Sequence, residues 1–154
     1  MNEPSSNNDS NYGSDNLNNM VQRLQRTSEP KKRYEYVLWL AKSLPQMPDK
    51  FKIEKFKVKG CISQVHVMGE LIKGKIQWKG DSDALITKGL LAMLIKGLND
   101  LTPKEVLDVN PKFIEATGLR GSLTASRANG FLNILLSMKG QAKQLAIGTS
   151  PSTT

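Results

Sequence analysis

VHVMGELIKGKIQWKGDSDALITKGLLAMLI, residues 65–95, changes its hydrophobic period part-way along. Up to residue 80 the apolar positions alternate. Val65, Val67, Gly69 and Leu71 share one face, Lys73-Gly74 is a turn signal, and KIQWKG at 75–80 returns with Ile76 and Trp78 facing the core. That pattern is a β-hairpin. After DSD at 81–83 the spacing becomes helical. Ala84, Leu85, Leu90, Leu91, Met93, Leu94, Ile95 and Leu98 cover most sides, which predicts a buried helix capped by Ser82 or Asp83.

Upstream of the hairpin, Phe56 and Val58 alternate with Lys55, Lys57 and Lys59, the pattern of an edge strand guarded by lysine on its solvent side. Two helices are expected before it. Leu17, Met20, Val21 and Leu24 follow helical spacing over 16–26. Tyr34, Val37, Leu38 and Ala41 do so over about 30–43, with Ser28 as candidate N-cap, Pro30 in the first turn and Pro45 as the stop. Downstream, Thr102-Pro103-Lys104-Glu105 is a capping box. Asn110-Pro111 opens a short helix that Gly118 ends, and a last helix runs over about 124–145 with Phe131, Ile134, Leu135 and Met138 on its inner stripe. Helices, an antiparallel hairpin with an edge strand, then more helices make an α+β fold with a small antiparallel sheet. The expected organisation is one domain over 16–145, a disordered tail over 1–15 (MNEPSSNNDSNYGSD) and a loose tail over 146–154.

The charge is uneven. Residues 1–30 carry two basic and four acidic side chains, and residues 31–154 carry 20 and 10. A basic domain favours acidic partners, or simply has a lysine-rich soluble surface. The longest apolar run, LLAMLI at 90–95, is too short to span a bilayer, so no membrane association is expected. The first 30 residues lack the apolar segment of a secretory signal. One cysteine excludes an internal disulfide framework, and one histidine beside it excludes a zinc site built from Cys and His alone. A reducing, cytoplasmic setting follows as the expectation.

The single cysteine, Cys61, sits in KVKGCISQV at 57–65, between the edge strand and the hairpin. A lone cysteine is commonly a small buried hydrophobe. Against that, Gly60 permits a tight bend, lysines precede it, and polar Ser63 and Gln64 follow. An unperturbed thiol has a pKa of about 8.5. A nearby lysine would lower it and burial would raise it. A reactive thiol with no resolving partner suits attack on the persulfide of another protein, which leaves the extra sulfur on Cys61 with no neighbouring thiol to discharge it. His66 lies an odd number of residues away on a strand, hence on the opposite face, and reads as a surface or packing histidine. Asp81 and Asp83 read as helix-start carboxylates, with no third acid nearby to make a metal site. Arg127, beside Asn129 and Gly130 at a helix start, is either a solvated charge or an anion-holding group.

Five segments in order, RYEYVLWL at 33–40, VKGCISQV at 58–65, GDSDALITKGL at 80–90, LTPKEVL at 101–107 and SLTASRANGFLN at 122–133, resemble the SufE family of sulfur acceptors, over roughly residues 31–140. The resemblance implies a SufE/NifU-like α+β fold with the cysteine on a loop beside an apolar hollow. It implies that Cys61 accepts persulfide sulfur from a cysteine desulfurase (SufS-like), stimulates that enzyme, and delivers sulfur to an iron–sulfur scaffold complex (SufBCD-like). The protein would hold no cofactor of its own, the pyridoxal phosphate belonging to the desulfurase. Motif positions carried over are Gly60, Cys61 and Ser63 in the loop, Asp81, Ser82, Asp83, Lys88 and Gly89 around the next helix start, and Arg127, Asn129 and Gly130 in the late motif. His66 departs from the family, which often has Trp there. The rival readings are a basic nucleic-acid-binding module, a single-cysteine thiol peroxidase and a structural adaptor. The first would need clustered lysines and exposed aromatics, whereas here the lysines are dispersed and Tyr34, Trp39 and Trp78 fall mostly on apolar stripes.

Overall fold

The structure, a computed structural model, describes residues 11–61 and 63–148. The expectations for residues 1–10 and 149–154 lie outside them. Two helices come first, α1 (Asp15–Gln25) and α2 (Pro30–Lys42). Two 3-10 turns follow, Asp49–Phe51 and Glu54–Phe56, then strands β1 (Val65–Ile72) and β2 (Lys75–Ser82). Helix α3 (Leu85–Leu98), the short α4 (Pro103–Asp108) and α5 (Phe113–Ala116), a 3-10 turn at Leu119–Gly121, and the long α6 (Ala125–Gly148) complete the chain. The α+β fold with a small antiparallel sheet stands.

The hairpin is in the expected register, from Val65 opposite Ser82 to Ile72 opposite Lys75. Its turn residues Lys73 and Gly74 both have positive φ (52° and 84°), the combination that a two-residue turn needs to match strand twist. Val65, Val67, Ile76 and Trp78 are buried. Gly69 faces Trp78 across the ladder, and a Cβ at 69 would stand 2.7 Å from the indole ring, which occupies that space.

A two-stranded hairpin is marginal alone and leaves two open edges. Here both edges are closed. Along β2, the Ile76 N–H donates to the Leu101 carbonyl (2.8 Å), the Asp100 N–H donates to the Ile76 carbonyl (3.0 Å), and the Trp78 N–H donates to Asn99 Oδ1 (2.7 Å). Along β1, the side chain of Gln141 from α6 acts as a short strand: Oε1 accepts from Gly69 N–H (2.9 Å) and Nε2 donates to the Val67 carbonyl (2.7 Å). This edge closure corrects the expected lysine-sided edge strand. Residues 54–56 coil into a 3-10 turn, and only Lys57 bridges to His66, with Val58 N–H donating to Val65 O (2.8 Å). With Gln141 occupying the next positions of β1, the ladder has no room to continue.

Helix α3 is the hub, packed against α1, α2, β2 and α6. It is buried nearly all round, Leu85 in its first turn and Lys96 in its last excepted. Its contact with α2 is backbone-close: a Cβ on Gly89 would lie 2.1 Å from the Val37 carbonyl oxygen. Its N-cap is Ala84 with no side-chain cap, rather than Ser82 or Asp83. Asp83 instead accepts from Gln64 N–H, and Ser82 Oγ accepts from Ala84 N–H (3.3 Å). At α2 the cap is Glu29 rather than Ser28, because the residue before Pro30 is forced into extended backbone. The Thr102/Glu105 capping box is present.

Two aromatic expectations resolve differently. Trp78 is buried, whereas Trp39 is 58% exposed and stacks on Tyr36 at 5.8 Å. Five residues of the expected N-terminal tail, 11–15, take defined positions, and Asp15 already begins α1. Tyr12 is buried 6.5 Å from Phe113, which meets Phe131 edge-on at 5.8 Å, and Ser14 caps α1 while donating to the Gly97 carbonyl. Helix α6 continues to Gly148, past the expected end at 145.

Glycine substitutions test this packing. Gly89→Ala should destabilise by about 3 kcal/mol, since backbone must move to admit the methyl. Gly140→Ala, on the open face of α6 with nothing within 4 Å, should be neutral or stabilising by about 0.5–1 kcal/mol. Denaturant melts of both variants check the contrast.

Candidate functional site

The loop from Val58 to Val65 carries Cys61 and is anchored at both ends. At its start Val58 pairs with Val65. At its end Asp83 N–H donates to the Gln64 carbonyl (3.2 Å), and Gln64 N–H donates to Asp83 Oδ1 (3.0 Å). Between them Gly60 has φ +82°, a region that a side chain resists. Its carbonyl accepts from Asn133 Nδ2 of α6 (2.8 Å), and a Cβ at 60 would lie 2.7 Å from that nitrogen.

The turn aims the Cys61 thiol at α6, where Sγ lies 3.8 Å from the Gly130 carbonyl oxygen. It is half-buried and opens onto a hollow of about 330 Å³ lined by Ser63, Thr87, Thr124, Ser126, Arg127 and Gly130. The hollow is lined by hydroxyls and Arg127 rather than by the apolar side chains that the resemblance implies, because the start of α6 and Thr87 of α3 supply its walls. Ser63 Oγ and Thr87 Oγ1 are 3.4 Å apart, and Thr124 starts α6 by accepting Arg127 N–H on its Oγ1 (3.3 Å). Burial pushes the Cys61 thiol above its ordinary pKa. The sequence left burial and nearby lysine opposed, and burial prevails: Lys55 and Lys59 point to solvent. At rest the sulfur is a neutral thiol.

A second hollow, of about 320 Å³, lies beside the first and is lined by Lys52, Gln64, His66, Asp81, Ser82 and Asp83. Asp81 is its centre. Burial would raise the Asp81 carboxyl, but Lys52 (3.0 Å), the Ser82 N–H (2.9 Å) and Lys88 (3.3 Å) outweigh it and hold the pKa below the usual carboxylate range. Lys52 also pairs with Asp49 (3.3 Å), tying the first 3-10 turn to the end of β2.

The sequence-derived candidates therefore fall into two adjoining groups. Cys61, Ser63 and Arg127 line the sulfur hollow, Gly60 precedes the thiol in the loop and meets Asn133 instead, and His66, Asp81 and Asp83 line the second, with Lys88 joined to it through Asp81. His66 lines the second hollow and not the one that holds the thiol, in line with its odd offset. Asn129 is exposed and lines neither hollow. Sequence reasoning missed Thr87, Thr124, Ser126, Lys52 and Asn133. Asn133 left one signal, a polar residue inside the apolar run Phe131–Leu135. Among the described residues no group of three or more His, Cys, Asp or Glu could hold a metal, and no helix is long and apolar enough to cross a membrane.

A family model, SufE, described as an Fe-S metabolism associated domain, matches residues 18–142. A SufE-like protein of Synechocystis sp. is 52% identical over 135 residues, covering 88% of this chain and 85% of that one. The cysteine desulfuration protein SufE of Plasmodium falciparum is 37% identical over 134 residues, covering 79% of this chain and 54% of its own length, so the chain spans about half of that relative. The solution structure of a hypothetical protein from Thermus thermophilus superposes with a TM-score of 0.76 at 23% identity, over 88% of this chain and 98% of that one, which establishes likeness of fold.

Two outcomes are expected. Alkylation of Cys61 at pH 7 should be several-fold slower in the native protein than in the unfolded chain, and its rise with pH should centre above the ordinary thiol value; iodoacetamide kinetics followed by intact mass check both. Asp81 has a folded pKa below its unfolded value of about 3.9, so its stabilisation is present above that pH and lost as pH falls through the folded pKa. Asp81→Asn should therefore cost about 1–2 kcal/mol at pH 7, with the gap to wild type closing from about pH 4 downward. Urea titrations across pH measure it.

Proposed function

Because this chain belongs to the SufE family of Fe-S metabolism associated domains, we propose that Cys61 is a sulfur acceptor serving a cysteine desulfurase. The Cys61 thiolate attacks the outer sulfur of the desulfurase's cysteine persulfide. The new bond joins Cys61 Sγ to that sulfur, the donor's S–S bond breaks, and the donor cysteine leaves as a thiolate and takes up the proton lost by Cys61. The sulfur keeps its oxidation state and no outside oxidant or reductant is needed. The observation that carries this reading is the placement of Cys61: a half-buried thiol on a turn, opening onto a polar hollow. The name of the Plasmodium falciparum relative, a cysteine desulfuration protein, supports it.

The chain's own residues divide the work. The hollow gives the added sulfur a place shielded from small thiols. A persulfide ionises more readily than a thiol, and Arg127 with the hydroxyls of Ser63, Thr87, Thr124 and Ser126 suits an anionic sulfur. Gly60 supplies the turn that aims Sγ. Clearing sulfur from the donor cysteine would stimulate the desulfurase. Pyridoxal phosphate chemistry belongs to that enzyme, and delivery to an iron–sulfur scaffold completes the route we propose, in a reducing compartment such as the cytoplasm. The role is that of a transfer protein and activator.

Incubation with a desulfurase and cysteine should add one sulfur to Cys61, read by intact-protein mass spectrometry. Cys61→Ser should take up none and lose at least tenfold of the stimulation. Absence of the added sulfur on wild type in the presence of active desulfurase overturns the proposal.

A further inference from the structure

Trp78 is 4% exposed, and among the described residues its indole Nε1 is a buried side-chain nitrogen with no hydrogen-bond partner. A buried tryptophan N–H normally finds an acceptor, because water has been stripped from it and nothing has been given in return. The set of the ring tells where this donor points. A Cβ on Gly69 would meet Cζ3 at 2.7 Å and Cε3 at 3.0 Å, so the six-membered edge of the indole leans over β1. The N–H is on the opposite edge and turns away from β1. Trp78 also walls a hollow of about 390 Å³, whose other side is formed by the chain leaving α2, Leu44 to Gln46. We propose that this hollow is a binding site for a small apolar carboxylate, which accepts the Trp78 indole N–H on its carboxylate and lays its hydrocarbon body on Leu44, Pro45 and Ile72.

The lining sets the class of ligand. An indole N–H is a donor only, so its partner has to be an acceptor. Lys79 is the charged residue among the described residues of the lining, with no Asp or Glu beside it. The Gln77 amide is already engaged by Asp100. A cationic wall with a spare donor favours an anion over a cation, and a hydrogen bond to a charged acceptor is about twice as strong as one between neutral groups. The remaining walls are hydrocarbon, and Ile72 is 44% exposed, so an apolar body that covers it gains by burial. The volume suits a small ligand, at the lower end of the usual range of about 300–1,000 Å³. One water, which takes about 30 Å³ in the liquid, would leave most of the hollow unfilled. The donor is also held in place: the backbone N–H of Trp78 donates to Asn99 Oδ1 at 2.7 Å, and the ring is seated on Gly69. None of these lining residues belongs to the hollows at Cys61 and Asp81, so the inference stands apart from the sulfur-acceptor reading.

The test uses the full chain and hexanoate as probe. The protein has two tryptophans, hence two indole signals in a nitrogen–proton correlation spectrum, and Trp39→Phe identifies which is which. Hexanoate should move the Trp78 indole signal downfield and saturably while the Trp39 signal stays in place. Hexanol, of equal chain length and uncharged, should bind about ten-fold more weakly. Lys79→Gln should weaken hexanoate about three-fold and leave hexanol unchanged. Trp78→Phe should weaken hexanoate about ten-fold; if that variant folds poorly, the wild-type titrations and Lys79→Gln decide. Three results overturn the proposal: no saturable shift of the Trp78 signal, equal affinity for hexanoate and hexanol, or a bound water at the Trp78 indole proton that persists at the highest hexanoate concentration.

Discussion

The amide of Gln141 lies along the outer edge of β1 and completes hydrogen bonds that a third strand would otherwise make. The rest of the architecture depends on that substitution. A hairpin of two strands cannot leave its edges open, and here the helix that closes one of them is also the helix that faces the cysteine. Gly130 and Asn133 lie two to three turns before Gln141 on α6. The same rigid rod thus sets the register of its contact with β1 at one end and the position of Cys61 at the other. The opposite edge, held by Asn99, Asp100 and Leu101, fixes β2 against the end of α3. Between the two closures Val65, Val67, Ile76 and Trp78 press onto the core.

This arrangement makes the chemistry of the thiol a consequence of packing. Cys61 is drawn toward α6 far enough that desolvation dominates its acidity, so the empty protein carries a quiet sulfur. The hollow beside it is nevertheless polar, with Thr87 from the buried α3, Ser63 from the loop and Thr124, Ser126 and Arg127 from the start of α6. A neutral thiol gains little from such a lining, and an ionised outer sulfur gains more. Next to it Asp81 joins Lys52 and Lys88, which braces the end of β2 and leaves Asp83 to hold Gln64 at the loop's exit.

Much of this was legible in the chain. The hairpin, its Lys73-Gly74 turn, the Thr102 capping box and the buried character of α3 follow from local periodicity and turn chemistry, which depend on near neighbours. Cys61 stood out because it is alone and follows Gly60. Local patterns failed where a distant side chain decides. The alternation of Phe56 and Val58 with lysines reads as a strand until Gln141, far along the chain, takes the pairing positions. Tyr12 lies in a polar, tail-like stretch, yet Phe113 gives it a ring to pack on. Trp39 follows an apolar stripe, but α2 turns that side outward.

From the residues alone came the α+β order of elements, the uniqueness of the thiol and the five segments that tie the chain to its family, because each is a property of composition, spacing or motif. The tertiary structure alone decided that burial outweighs lysine at Cys61, that hydroxyls and Arg127 share one hollow with it, and that Asn133 reaches Gly60. Those are facts of distance between residues far apart in sequence, and no periodicity encodes a distance across a fold.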